Sequence, residues 1–491
     1  MARREGMRNV TVVGLVGMGL LAGCASAPVA QRGALMPVEG GPPPITVATE
    51  TPKAPDVAVE TPQAPQGPWV GAAADSDVLL ARGGDAFVGV WVDVPASARA
   101  RVRAPVDLAL VIDTSGSMEG AKIQAARASA RLLVDRLADG DVLSVDTFSD
   151  HARTLVAPVR LTPETRARVH SVLAELGTGG STNMFEGLEL AEMHVAQAPA
   201  DHPVRRIVMI SDGQANVGPS SPNALGDLAQ RTLSFGAQVT SLGVGLDYDE
   251  RTLDAIAERT SGRLFHVGDP REMRATLEQE VDMLGSTVAD QASIEVVPAP
   301  GVVLAAVEGA RVEAAENGAI RIPLGALFAG QHREALVRVR LTESAVGTQR
   351  ALASVRLHFH DPAENELERV QEVLARATTS DDPTMVAAHA NAKTHAMIAI
   401  VEAAKVQIQA AQDLGSGNFA VAQNQLAAAE KGLRDEAART KDDSMKKKLT
   451  VAAQSVAASH ARAMAAPAAP APTVRADALE MNAAGMKAAG Y

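Results

Sequence analysis

Between residues 106 and 284, short apolar runs alternate with segments of helical periodicity. The runs 106–113, 141–148, 152–159, 206–211, 238–244 and 263–266 are rich in Val, Leu and Ile and bounded by turn residues, which predicts strands. Between them, 121–138, 163–175, 184–198, 224–235, 250–260 and 270–284 place apolar residues at helical spacing, which predicts helices. Strands alternating with helices predict an α/β domain over 105–285 with a doubly wound, mostly parallel sheet. Only a short turn separates 141–148 from 152–159, so one strand must run backwards, and 141–148 is expected to be that strand. Asp139-Gly140 and Ser261-Gly262 supply turn signals.

Beyond residue 285 the pattern changes. Strand-like runs at 293–297, 302–307, 319–322, 335–341 and 351–359 follow one another without helices, which predicts an antiparallel β-sandwich over 286–361. The period-two stretch 87–94, within a segment 76–104, is expected to join it, making the α/β domain an insertion with its two ends close together. From 362 to 465 alanine-rich helical patterns dominate, with 385–413 and 419–439 expected as a helical hairpin. Residues 417–429 are similar to one tetratricopeptide-type helix, but no repeat accompanies them. Residues 25–75 are rich in Pro and Ala and read as a disordered tether, and 466–491 as a disordered tail.

Composition narrows the function. In 491 residues the aromatic share is only 2%, so the cores must be built from Ala, Val, Leu and Ile. A net charge of −12 argues against nucleic acid as a partner. No phosphate-loop sequence occurs and the glycines near Gly243 do not open a helix, so no nucleotide is expected.

The lone cysteine, Cys24, follows Arg3, Arg4, Arg8 and an apolar run of about 10–22, the layout of a secretory signal too short to span a membrane comfortably. The four residues Leu21, Ala22, Gly23 and Cys24 resemble a bacterial lipobox. That resemblance implies a signal peptide over 1–24 and an acylated, palmitate-bearing Cys24, and Ala25 in place of aspartate favours the outer membrane.

Candidate chemistry gathers where the 106–113 run ends. Asp113, Ser115 and Ser117 are spaced two apart, a set of hard oxygen donors that suits Mg²⁺ or Mn²⁺. On spacing alone the same residues would also serve as helix cap and turn formers. Thr182 lies in a glycine-rich loop before a helix and Asp212 ends a second buried run, and in open parallel sheets such loops converge beyond the strand ends. An EF-hand is excluded, since Met118 and Gln124 stand where its glycine and acid belong. His358 and His360 share a strand face without a third ligand, and no histidine is placed beside a serine nucleophile.

Residues 106–284 resemble the von Willebrand factor type A domain with its metal-ion-dependent adhesion site. The family's D-x-S-x-S motif stands as Asp113, Ser115 and Ser117, its threonine as Thr182 and its later aspartate as Asp212. The resemblance implies Mg²⁺, or Mn²⁺ or Ca²⁺, held by these five residues and completed by a Glu or Asp of a partner protein. The whole arrangement is similar to bacterial relatives of inter-alpha-trypsin inhibitor heavy chains. The expected protein is thus a non-enzymatic adhesion or scaffold module, lipid-anchored in the cell envelope. The alternative is a structural envelope module whose sandwich or C-terminal helices make the interactions while the metal site is vestigial.

Overall fold

The structure, a computed structural model, describes residues 69–489 except 97, 99–102, 246–247 and 363–366. The signal sequence, Cys24 and residues 25–68 of the expected tether lie outside the described residues. Three strands come first: β1 (Val70–Ala74), β2 (Val78–Leu80) and β3 (Gly84–Asp93). Residues 70–74 were expected within the tether, yet they pair antiparallel with β3. Their small apolar side chains are enough, because Trp69 beside them stacks on Phe359 at 4.9 Å and fixes the entry of the strand.

The α/β domain follows as β4 (Val106–Asp113), α1 (Ala121–Arg136), β5 (Val142–Phe148), β6 (Ala152–Arg160), α2 (Pro163–Ala174), α3 (Met184–Ala196), β7 (Val204–Ser211), α4 (Pro222–Arg231), β8 (Ala237–Val244), α5 (Glu250–Arg259), β9 (Arg263–Val267) and α6 (Met273–Leu284). The sheet order is β6-β5-β4-β7-β8-β9. Every residue of β4 is buried. Its side chains divide by period two: Leu108, Leu110 and Ile112 pack with α1, α2 and α6, whereas Ala109 and Val111 pack with α3, α4 and α5. The reversed strand is β6, not the expected 141–148, since β5 lies parallel to β4 and antiparallel to β6. The crossover through α1 is long enough to bring β5 back in the parallel sense, so the short turn at 149–151 puts the reversal one strand later.

The sandwich is β10 (Thr287–Pro298), β11 (Val302–Glu308), β12 (Glu313–Ala314), β13 (Ile320–Phe328), β14 (His332–Leu341), β15 (Gln349–Asp361) and β16 (Leu367–Ser380). One sheet runs β1-β3-β14-β11 and the other β12-β13-β10-β15-β16-β2. Since β3 precedes the α/β domain and β10 follows it, that domain is an insertion into the sandwich. Both crossings are held by the turn after β13, through Val94 N–H to Gln331 C=O at 2.9 Å and Ala329 N–H to Ser286 C=O at 3.1 Å. β16 corrects the expectation of helix from 362 onward. Its Leu, Glu, Arg and Ala favour helix, but Val373, Ala375 and Ala377 fall on the core face at alternate positions, and pairing along β15 overrides propensity.

Helices α7 (Pro383–Ala388), α8 (Ala392–Gly415), α9 (Phe419–Arg439), α10 (Asp443–Ala465) and α11 (Ala471–Ala489) close the described chain. The expected hairpin of two helices is part of a larger helical layer, and the expected disordered tail forms α11. Its proline-rich lead-in hides a pattern in which Leu479, Met481, Gly485 and Ala489 are buried. A β-carbon at Gly485 would approach the Ala404 carbonyl of α8 to 3.0 Å, so the two helices meet backbone to backbone. Truncating the fully buried Met481 to alanine is expected to cost about 2–4 kcal/mol in chemical denaturation. A disordered tail would give no change. Among the described residues no helix is long and apolar enough to cross a membrane.

Candidate metal centre

The sheet order reverses direction at β4, with β5 on one side and β7 on the other, so a crevice opens beyond their carboxyl ends. Asp113 closes β4, and Asp212 directly follows β7. Both are essentially inaccessible. After Asp113 the backbone turns through Ser115 into the short Gly116–Met118 helix, and Gly120, at a φ of 83°, starts α1. The glycine-rich loop is laced to this turn by Gly179 N–H to Thr114 C=O at 2.8 Å and Gly116 N–H to Gly180 C=O at 3.1 Å. Gly180, with a φ of 81°, adopts a conformation that other residues rarely take.

A chain of short contacts ties the predicted residues together. Asp113 accepts from the Ser115 N–H at 2.8 Å and from the Ser211 hydroxyl at 2.6 Å. The Ser115 and Ser117 hydroxyls lie 3.0 Å apart, and Ser117 donates to Asp212 Oδ1 at 2.7 Å. Thr182 is held by its N–H to Asn216 Oδ1 at 2.8 Å. Its hydroxyl faces that of Ser117 across Gly213, where a β-carbon would sit 3.4 Å from each. Asp113, Ser115, Ser117, Thr182 and Asp212 therefore share one place.

The donor set fits a hard divalent cation. Two carboxylates and three hydroxyls give only oxygen, the chemistry that Mg²⁺ and Mn²⁺ favour. Burial pushes the Asp113 carboxyl up to about 6, and the neighbouring Asp212 adds to the rise, so its ionised form is disfavoured there unless a positive charge such as a cation compensates it. Among the described residues no three His, Cys, Asp or Glu side chains converge to hold a metal. His358 engages Glu368 and Glu295 at 3.4 and 3.6 Å on β15, far along the chain from this turn. A cleft of about 790 Å³ lies elsewhere, lined in part by α5, β9, β13 and α11.

Three participants escape the motif. Ser211 anchors Asp113, Asn216 braces Thr182, and Lys122 pairs with Asp212 from the first turn of α1. Ser211 and Asn216 flank Asp212, so the signal was their proximity to a candidate ligand. Lys122 carried no signal beyond lying nine residues after Asp113.

Asp107, at the opposite end of β4, is 2% exposed, and its Oδ2 has no hydrogen-bond partner among the described residues. Burial pushes it up to about 6. The folded chain thus holds this proton more tightly than the unfolded chain, so the stability it contributes is full below about pH 4 and lost as pH rises through about 6. Asp107→Asn is expected to raise stability at neutral pH by up to about 3 kcal/mol and to change little at about pH 4 in denaturant titrations.

The family model for the von Willebrand factor type A domain matches residues 107–279. An uncharacterized protein, sll0103 of a Synechocystis strain, is 28% identical over 282 residues, covering 55% of this chain and 66% of that protein. Inter-alpha-trypsin inhibitor heavy chain H3 of Mesocricetus auratus is 27% identical over 164 residues, 32% of this chain and 18% of its own length. The chain thus spans less than two thirds of these relatives. Among solved structures, a von Willebrand factor type A protein from Catenulispora acidiphila superposes with a TM-score of 0.64 at 19% identity, covering 75% of this chain and 87% of that one. Such domains commonly mediate protein–protein interaction. Strand order, matched residues and structural likeness agree: this chain carries a von Willebrand factor type A domain, set as an insertion into a β-sandwich and followed by helices.

Proposed function

We propose that the domain is a non-enzymatic receptor that captures an acidic side chain of a partner protein through a divalent cation. The observation that carries this reading is the convergence of Asp113, Ser115, Ser117, Thr182 and Asp212 at the carboxyl ends of β4 and β7. These five would hold Mg²⁺ or a similar ion, which would supply an electropositive point open to a partner's Glu or Asp. A catalytic use is disfavoured because both carboxylates are engaged, Asp113 by Ser115 and Ser211 and Asp212 by Ser117 and Lys122, which leaves neither as a general base. Acylation of Cys24 would tether the receptor to the outer membrane of the envelope, in an adhesion or scaffold role.

The test is capture of envelope proteins on the chain from residue 25 onward, in Mg²⁺ and in chelator, beside Asp212→Ala. The proposal expects a partner retained only by the wild-type chain in Mg²⁺. Equal retention in all three would move the interaction to the sandwich or helices and leave the site vestigial. Palmitate labelling lost in Cys24→Ser tests the anchor.

A further inference from the structure

Lys122 pairs with Asp212 Oδ2 while Ser117 occupies Oδ1, so both oxygens of this buried carboxylate are engaged. The lysine reaches there from the first turn of α1, about a quarter exposed at 26%, whereas the Asp212 side chain is fully covered. Its stem lies beside Gly245, at a φ of 84°, where a β-carbon would make ordinary contact with Lys122 Cε at 3.4 Å. The ammonium thus sits on a ligand of the candidate metal centre, alongside Gly245.

We propose that Lys122 is a positioning residue that acts as a built-in counter-cation: it holds Asp212 in place without metal, opposes divalent-ion entry, and leaves the loaded site net positive. This rests on the metal-dependent reading above. Asp113 and Asp212 bring two negative charges and Lys122 one positive, so a divalent ion turns a net charge of minus one into plus one. A single partner carboxylate then neutralises the site. Without Lys122 the loaded site would already be neutral, and a carboxylate would gain less there. Like charges within several ångströms of one another in a partly buried setting carry effects of this size even at a high effective dielectric constant.

The experiment is calorimetric titration of the full chain with Mn²⁺, with and without acetate as the simplest carboxylate, for wild type, Lys122→Met, Lys122→Gln and Lys122→Arg. The expected result is Mn²⁺ binding at least about tenfold tighter in Lys122→Met and Lys122→Gln, near wild-type affinity in Lys122→Arg, and an acetate enhancement of Mn²⁺ binding that is present in wild type and lost in the neutral variants. Equal or weaker Mn²⁺ binding in the neutral variants, with wild type binding, overturns the role of Lys122 and leaves the metal site standing. No binding by wild type overturns the reading beneath it. Two neutral variants of different shape are used so that misfolding of one does not decide the outcome.

Discussion

Asp113→Ala is expected to weaken Mg²⁺ or Mn²⁺ binding by at least about 100-fold while the α/β domain stays folded. The side chain is the only ionised donor contributed by β4's end, and without it the two serines that follow offer neutral hydroxyls alone. Ser115 N–H and the Ser211 hydroxyl also lose their acceptor, but a carboxylate that burial pushes up to about 6 is no asset to the metal-free fold. The two losses therefore offset in stability and not in binding. Thermal melts separate them. Wild type should gain roughly 2.7 kcal/mol at a metal concentration of about 100 times its Kd, and Asp113→Ala should gain no more than about 0.4 kcal/mol at the same concentration.

Gly262→Ala is expected to be the most damaging single methyl in the domain, costing about 4 kcal/mol or more, because an added β-carbon would lie 1.9 Å from the Val239 carbonyl oxygen and 2.8 Å from its carbon. Neither atom can move without breaking β8 at the point where β9 leaves the turn after α5. The neighbouring Ser261→Gly gives the control. Ser261 carries the positive φ, 53°, that ends α5, so glycine there relieves strain while losing the hydroxyl's bond to the Pro323 carbonyl at 3.0 Å, and the change should stay within about 1 kcal/mol. Chemical denaturation of the pair distinguishes a steric need for glycine at 262 from a general intolerance of the turn.

The central domain was legible in sequence because its signals are local and agree. The run ending at Asp113 is apolar on both faces, as a strand between two helical layers must be, and the motif residues sit where such strands end. Strand direction was misplaced by one element because a short turn says that a reversal occurs but not which of its two strands reverses. β16 was hidden by residues whose intrinsic preference is helical, and α11 by prolines that begin a helix rather than prevent one. Lys122 could not be read at all as a partner of the site, since what makes it one is the meeting of α1 with a residue 90 positions away, and Ser211, although it stands beside Asp212, serves Asp113, 98 positions away.

The most direct test of the account is a crystal structure of the chain grown with Mn²⁺ and measured for anomalous scattering. The account predicts one strong peak bounded by Asp113, Ser115, Ser117, Thr182 and Asp212, at about 2.1–2.2 Å from the nearest hydroxyl oxygens. An empty cradle at saturating Mn²⁺, or a peak held elsewhere, would contradict it.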